Sequence, residues 1–197
     1  MKLGYIMEKN AQVVKNVISP NYVLSSAHCF KDFEKATIQF TNGKTKTITK
    51  DDVVCHEAYV FSEKNAQHDI SVIKVEVPSI VHVGLNFFKH GKKLTAVGLD
   101  RRQRYSWKSF QDRIIMLNAK EKACNEYNVL CIEIEGGFAS SSHGDSGAPL
   151  IQDGRAVGIL SMSHEEEGEN MVFYTDIQQN EGWIRAKTER SVLIAGI

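Results

Sequence analysis

The sequence has no excess of charge of either sign. Its 197 residues include 24 Lys and Arg and 24 Asp and Glu, which gives a formal net charge of zero at pH 7. Proteins that bind nucleic acid or anionic surfaces by long-range attraction usually carry a clear basic excess. The overall charge favours no particular partner, and we expect neither nucleic acid nor a membrane as one.

Long apolar runs are also absent. A membrane-spanning helix needs about 20 consecutive apolar residues, and no stretch of the sequence reaches that length. The first residues, Met1 to Tyr5, lack the pattern of a secretory signal peptide. We read the chain as a mature form, a trimmed form or a protein not exported by that route. With 42% hydrophobic and 24% charged residues, the composition is that of a globular protein.

Cysteine is scarce. The chain has four cysteines, which is little for a protein from a strongly oxidising compartment. Cys29 and Cys55 are most simply buried thiols that pack as small apolar side chains. A bridge between these two remains open, although their spacing does not favour it.

Helical periodicity is missing from most of the chain, and short runs rich in β-branched and apolar residues take its place. The expected strands of the first half lie at residues 5–18 (a hairpin turning at 8–10), 22–26, 36–40, 44–48, 53–56 and 70–75. Asn42-Gly43 is the strongest hairpin dipeptide among the connections. The pattern predicts an antiparallel barrel of about six strands.

A second set of strands begins after Pro78. It is expected at residues 93–98, 113–118, 129–134, 148–152, 156–162 and 171–174, with Asp153-Gly154 as a hairpin turn. Residues 176–187 carry apolar side chains at helical spacing, which predicts a helix near the C-terminus.

One segment, residues 144–150, reads Gly-Asp-Ser-Gly-Ala-Pro-Leu. Glycines beside a serine allow a tight turn whose backbone a Cβ would obstruct. Such a turn can hold the Ser146 hydroxyl exposed, while the amides of Gly144 and Ser146 point at one spot and form an oxyanion hole. Alone, this pattern also fits an ordinary surface turn.

Two upstream segments support the chemical interpretation. Residues 23–29 read Val-Leu-Ser-Ser-Ala-His-Cys, and residues 68–75 read His-Asp-Ile-Ser-Val-Ile-Lys-Val. Together with residues 144–150, they resemble the histidine, aspartate and nucleophile segments of the chymotrypsin-like (trypsin-fold, S1-type) serine proteases. The order His, Asp, Ser differs from that of subtilisin and of the α/β-hydrolases.

The resemblance extends over nearly the whole chain and implies an all-β fold. Two antiparallel six-stranded β-barrels would hold the active site in the crevice between them, followed by a short C-terminal helix. Residues 1–84 would form the first barrel and carry His28 and Asp69. Residues 85–197 would form the second and carry Ser146.

The resemblance also implies a role for each residue. His28 would be the general base for Ser146, and Asp69 would hold the imidazole in the right tautomer. Ser161 falls where the family has a serine that hydrogen-bonds the buried aspartate. Cys124 and Cys131 fall where the family often closes a short loop with a disulfide, so we pair them.

Three positions match the family's primary specificity pocket. Ser140 corresponds to the base of the pocket, where an aspartate would select Arg or Lys. Ser163 and Val172 correspond to wall positions that glycines often occupy, although a slip of one or two residues in the alignment would move Val172 out of the wall. The expected preference is a small or medium apolar residue before the scissile bond.

The start of the sequence departs from the family pattern. Family members often begin with a freed Ile-Val-Gly-Gly whose ammonium pairs with the aspartate beside the serine, which is Asp145 here. Nothing similar precedes residues 4–7. A buried carboxylate without a partner is costly. Either a leading segment is missing, or Asp145 is satisfied in another way, or the oxyanion hole is poorly formed.

Two charged segments are expected to be solvated. Residues 100–108 mix basic and aromatic side chains, and residues 165–169 are almost all Glu. A polyanion site or a cation site could be read into them, but such runs usually lie on loops that face water. We assign no metal and no cofactor.

Two functions of different classes follow. The first is a serine endopeptidase that cleaves polypeptides through an acyl-enzyme, as a monomer, and that protein inhibitors could block. The second is a protease-like binding module without competent catalysis, for which the missing N-terminal motif is the reason. The family resemblance points to secretion, although the sequence shows no signal peptide and few cysteines.

Overall fold

The computed structural model describes residues 4–8, 11–40, 42–61, 66–78, 82–99, 114–124, 127–135, 145–166, 169–189 and 194–195. Most of this part of the chain is β-structure. The strands are β1 (Gly4–Glu8), β2 (Ala11–Ser19), β3 (Tyr22–Ser25), β4 (Lys35–Phe40), β5 (Thr45–Thr49), β6 (Val53–Cys55), β7 (Val60–Phe61), β8 (Ala66–Gln67), β9 (Ser71–Lys74), β10 (Leu85–Asn86), β11 (Leu94–Leu99), β12 (Ile114–Lys122), β13 (Val129–Ile134), β14 (Pro149–Gln152), β15 (Arg155–Glu166), β16 (Glu169–Asp176) and β17 (Ile194–Ala195). Helix α1 spans Glu181–Lys187, and 3-10 helices span Ala27–Phe30 and Lys50–Asp52.

The first half of the chain forms a seven-stranded antiparallel sheet in the order β5-β4-β1-β2-β3-β9-β6. Side chains of β4 alternate between buried and more exposed, so that Ala36, Ile38 and Phe40 face an apolar interior. The predicted hairpin after β4 is present, with Gly43 at a φ of 82°. Glycine is the residue that adopts this conformation without steric cost.

The second half contains a closed barrel of six strands. Their order is β14-β11-β12-β13-β16-β15, and β15 pairs again with β14 to close the ring. The turn between β14 and β15 has positive φ values at both Asp153 and Gly154. That conformation is typical of the type I′ hairpin turns that Asp-Gly favours.

The structure confirms the predicted all-β fold with one short helix. The first sheet has seven strands instead of six, and within the described residues its two edge strands, β5 and β6, do not pair. Residues of both halves, including Leu24, Ile70, Leu150 and Tyr174, share one buried cluster. The boundary between residues 84 and 85 stays a prediction.

Two local expectations need correction. Helix α1 begins at Glu181 instead of residue 176, because the Asp176 carboxylate accepts a hydrogen bond from the Gln178 amide at 2.8 Å and forms a turn first. The acidic segment extends the hairpin of β15 and β16, with Glu166 opposite Glu169, instead of forming only a loop. Backbone pairing needs no apolar side chain, so the charge of this segment did not end the strands.

The expected disulfide is present, whereas the other two cysteines are less buried than expected. A disulfide joins Cys124 to Cys131, with 5.7 Å between the Cα atoms. Cys29 and Cys55 are not joined in a disulfide, and both are intermediate in exposure instead of buried. They pack beside the apolar interior of the first sheet as partly buried residues.

Candidate active site

Asp69 lies between the two halves of the molecule, directly before β9. Its side chain is fully buried. Oδ2 lies 2.6 Å from His28 Nδ1 and accepts a hydrogen bond from Ser161 Oγ at 2.5 Å, while Oδ1 accepts one from the His28 amide at 2.8 Å. The Asp69 carbonyl accepts a fourth bond, from Thr175 Oγ1 at 3.0 Å. Residues of both halves therefore hold this aspartate: His28 from the first, and Ser161 and Thr175 from the second.

His28 stands on the 3-10 helix that follows β3, and about a quarter of its side chain (27%) is exposed. An ionised carboxylate can only accept hydrogen bonds, so the contact with Asp69 requires the proton on His28 Nδ1. Nε2 then carries the lone pair of the neutral ring. An imidazole fixed in this way can accept a proton from a neighbouring hydroxyl.

The two groups shift each other's pKa toward an ion pair. Burial alone would raise the pKa of Asp69, but the hydrogen bonds from His28 and Ser161 outweigh it and lower the pKa. For His28, burial alone would lower the pKa, and the hydrogen bonds to Asp69 and Cys29 raise it above its usual value of 6.5. The imidazolium form is therefore stabilised at this position.

Ser146 lies in a tight turn directly before β14. The Ala148 amide donates to the Asp145 carbonyl at 2.9 Å, and Gly147 has a φ of 84°. A positive φ at the third residue is the mark of a type II turn, which explains the glycine. Ser146 occupies the second position of that turn and is half-buried.

The serine turn is attached to both halves of the molecule. The Gly147 amide donates to the Leu160 carbonyl at 2.7 Å, next to Ser161 on β15. From the first half, Asn16 Nδ2 donates to the Gly147 carbonyl at 2.7 Å. Hydrogen bonds thus connect the Ser146 turn, the Ser161 strand and the Asp69–His28 pair in one continuous region.

An open cleft adjoins the histidine. Its volume is about 570 Å³. The residues that line it are His28, Cys29, Lys31, Asp32, Phe33, Glu34 and Lys35. The imidazole is therefore reached from solvent beside a segment that mixes charged and aromatic side chains.

The predicted pocket residues lie partly within the described chain. Ser163 on β15 is directly opposite Val172 on β16. Ser163 is half-buried, whereas Val172 is almost fully buried and belongs to the apolar cluster that both halves share. Ser140 and the predicted oxyanion donor Gly144 lie outside the described residues.

Asp145, beside the serine, is buried at 2% exposure. Burial and the negative charge of Asp145 together raise the pKa of the Tyr174 phenol, which places this tyrosine close to the carboxylate. The expectation that an N-terminal ammonium would pair with Asp145 concerns residues outside the described chain.

Sequence reasoning missed several residues that hold the site together, among them Asn16, Ser26 and Thr175. Ser26 Oγ donates to the Leu160 carbonyl at 2.6 Å, across 134 positions of the chain. The available signal was a polar residue beside apolar residues of a strand, as with Asn16 next to Val17 and Ile18. That signal indicates a buried hydrogen bond but does not identify its partner.

Neither a membrane helix nor a metal cluster is found in the described residues. No helix in this part of the chain is long and apolar enough to cross a bilayer. The same residues contain no group of three or more His, Cys, Asp or Glu arranged to hold a metal ion.

Comparisons with known proteins agree with the fold. The Trypsin family model matches residues 16–184. Trypsin from Xenopus laevis is 23% identical over 192 residues, covering 86% of this chain and 78% of that protein. Chymotrypsin from Phaedon cochleariae is 25% identical over 205 residues, covering 88% and 71%.

Solved structures of the same fold overlay nearly the whole chain. Kallikrein-related peptidase 10, solved with Zn²⁺, matches with a TM-score of 0.74 at 16% identity, covering 96% of each chain. Neuropsin, a serine protease of mouse brain, matches with a TM-score of 0.72 at 19% identity, covering 94% of this chain and 93% of its own.

The fold and the sequence matches define a class, the chymotrypsin-like serine endopeptidases. The chain belongs to the trypsin family, because the family model spans most of its length. It is a hydrolase whose substrates are polypeptides.

Proposed function

We propose that this endopeptidase cleaves peptide bonds through a catalytic triad of Ser146, His28 and Asp69. The observation that carries the proposal is the 2.6 Å contact between His28 Nδ1 and the fully buried Asp69 carboxylate. A buried carboxylate on Nδ1 leaves Nε2 for proton transfer, which is what a serine nucleophile requires.

The reaction follows from these roles. Ser146 Oγ attacks the scissile carbonyl as its proton passes to His28 Nε2, and Asp69 stabilises the imidazolium that forms. The amides of Gly144 and Ser146 would stabilise the oxyanion of the tetrahedral intermediate. The imidazolium then protonates the leaving amine, an acyl-enzyme remains on Ser146, and water attacks it with His28 again acting as the base.

The raised pKa of His28 supports this sequence of proton transfers. The proton from Ser146 moves to a ring whose charged form is favoured by Asp69. The carboxylate is already ionised because its own pKa is lowered. Little reorganisation is then needed when charge develops on the ring.

For substrate preference, we propose a pocket that accepts small or medium apolar side chains. Opposite residues of an antiparallel pair project to the same face, and Ser163 lies opposite Val172. Two non-glycine side chains would then narrow one wall, and Ser140 at the base would offer no charge to a Lys or Arg.

Trypsin-family relatives are typically secreted and are open to protein inhibitors. We extend both properties to this chain and propose that it acts outside the cell as a monomer.

Labelling with a fluorophosphonate tests the triad. This reagent forms a covalent bond only with an activated serine, and intact-mass and peptide analysis would locate the adduct. We expect one adduct on Ser146 in the wild-type protein, none in Ser146→Ala and little in His28→Ala. No adduct on the folded wild-type protein would favour the binding-module alternative, and an adduct on another serine would refute the triad.

A further inference from the structure

His68 directly precedes Asp69 and has a left-handed backbone conformation, with a φ of 50°. Few non-glycine residues adopt this conformation, although histidine is among the more tolerant. Its carbonyl accepts a hydrogen bond from the Ile70 amide at 2.7 Å, which makes a tight bend around Asp69. Because of this bend, the side chains of the consecutive residues His68 and Asp69 contact different partners.

Both ring nitrogens of His68 contact amide side chains from the second half of the chain. Nδ1 lies 2.8 Å from Asn180 Oδ1, and Nε2 lies 2.8 Å from Asn128 Nδ2. Asn180 is the residue before helix α1, and Asn128 is the residue before β13. Both asparagines are almost fully buried. His68 therefore spans two separate elements of the second barrel.

The orientation of Asn180 fixes the tautomer of His68. Asn180 Nδ2 donates to the Asp176 carbonyl at 2.7 Å, so its Oδ1 is the atom that faces the ring. An oxygen can only accept, and His68 Nδ1 must carry the proton. Nε2 is then the acceptor that the Asn128 amide group requires. The three side chains form a consistent set of donors and acceptors.

An aromatic ring packs on His68. The His56 ring stacks on it, with centroids 4.3 Å apart and an interplanar angle of 18°. The Trp183 ring of helix α1 has its centroid 4.8 Å from that of His56. Trp183 Nε1 also donates to Glu57 Oε2 at 2.6 Å. This packing limits rotation of the His68 ring, so its two hydrogen bonds have a fixed direction.

We propose that His68 is a positioning residue for catalysis: it anchors the bend at Asp69 to the second barrel and so sets where the Asp69 carboxylate meets His28. The proposal rests on the triad proposed above. Without the His68 side chain, the bend would keep the contacts of Asp69 and the backbone bond from the His56 amide to the Ile70 carbonyl at 3.0 Å. It would lose both bonds to the asparagines before α1 and β13. A displacement of about 1 Å in a catalytic group can cost roughly a hundredfold in rate.

The test uses steady-state kinetics of the whole chain with four variants. His68→Ala removes both contacts, His68→Asn keeps a donor near the Nδ1 position, and His68→Gln keeps an acceptor near the Nε2 position. His90→Asn is the matched control, because a ring nitrogen of His90 also contacts a side chain, that of Glu121, but His90 is 86% exposed and lies on the surface. Urea unfolding shows whether each variant folds.

We expect kcat of His68→Ala to fall by about tenfold to a hundredfold with KM changed by less than about threefold. His68→Asn and His68→Gln should give intermediate values, and His90→Asn should match the wild type. The proton on His28 Nδ1 gives a far-downfield NMR signal that reports its bond to Asp69. That signal should shift or broaden in His68→Ala and stay unchanged in His90→Asn.

Asn180→Ala provides a second, independent measurement. If His68 acts through Asn180, the double variant should lose less activity than the product of the two single losses.

A His68→Ala enzyme with kcat within about twofold of the wild type and an unmoved downfield signal would overturn the inference. If His68→Ala fails to fold, wild-type values of both measurements in His68→Asn and His68→Gln would overturn it. If the triad itself were wrong, Ser146→Ala would keep its activity. That result separates failure of the triad from failure of the His68 inference.

Discussion

Three donors converge on the Asp69 carboxylate, and this residue shows how a buried charge is tolerated. The bonds come from the ring and the amide of His28 and from the Ser161 hydroxyl. Hydrogen bonds to the charged form lower a carboxyl pKa, whereas burial raises it. At Asp69 the hydrogen bonds outweigh burial. The hydrogen bond between the Asp69 carboxylate and the His28 ring also raises the pKa of His28.

The pH dependence of kcat/KM follows from the direction of the His28 shift. The base must be neutral, so activity should rise as His28 loses its proton. Because its folded pKa is raised above 6.5, the proton leaves at higher pH than from an ordinary histidine. We expect the acid limb of the profile to have its midpoint above 6.5, measured with a substrate whose own ionisation is constant. A rate that falls steadily from about pH 5 to pH 8 would contradict a histidine base.

Ser161→Ala offers a comparison for that profile. It removes a donor to Asp69 without touching His28, so the pKa of Asp69 should rise. A carboxylate that has lost one donor accepts more strongly from the remaining one, so the imidazolium form of His28 should be favoured further and the acid limb should move to higher pH. An unchanged midpoint would show that Ser161 does not influence the pair.

At the scale of elements, the serine turn is encoded locally. A type II turn needs a residue with positive φ at its third position, and Gly147 supplies it at 84°. The next residues enter β14 directly, so the turn geometry determines where Ser146 stands. The short sequence Asp-Ser-Gly-Ala therefore favours this turn by its local conformation.

Gly147→Ala should destabilise the protein by about 1–2 kcal/mol because an L-residue is strained at this φ. Activity should fall as well, since the turn carries Ser146. The control is Gly182→Ala in helix α1, where a new Cβ would have no heavy atom within 4 Å. That change should stabilise the protein by about 0.5–1 kcal/mol. Urea unfolding measures the free energy of unfolding of both variants. Equal values for Gly147→Ala and Gly182→Ala would contradict the assignment of the turn.

The hairpin of β15 and β16 determines the proposed pocket wall. Ser163 and Val172 face each other across its ladder. A wall built from a hairpin keeps its shape, because backbone hydrogen bonds on both sides hold the two positions.

Val172→Gly should widen the pocket and shift the preference toward aromatic residues before the scissile bond. The wild-type enzyme should accept Ala, Val or Leu with broad selectivity, since each fitted methylene contributes about 1–3 kcal/mol. It should cleave poorly after Lys or Arg, whose unpaired charge would cost several kcal/mol to bury. A peptide library scanned with both enzymes measures this. A clear wild-type preference for Lys or Arg would reject the pocket.

At the scale of the whole molecule, the site exists only where the two halves meet. Asn16 and Ser26 of the first half each bind a carbonyl of the second. Ser161 and Thr175 of the second half bind Asp69 of the first. The geometry of the candidate site is therefore a property of packing between the halves and not of either sheet alone.

This division explains what the sequence could and could not predict. Strands, the Asp153-Gly154 turn and the Cys124–Cys131 disulfide were predictable, because alternation, turn dipeptides and a family motif are local in the sequence. The contacts of His68 were not, since Asn180 lies 112 positions away and Asn128 lies 60 away. The start of helix α1 was also missed, because a side-chain turn at Asp176 competes with helical periodicity.

The rate of ester or peptide hydrolysis by Ser146→Ala tests the central claim most directly. Removing the nucleophile of a working triad costs about a millionfold in kcat. We expect that loss in Ser146→Ala with the fold retained by circular dichroism and urea unfolding. Ser19→Ala, which removes another buried serine whose hydroxyl accepts from the Asn21 amide, should keep wild-type turnover. Unchanged turnover in a folded Ser146→Ala protein would contradict the account.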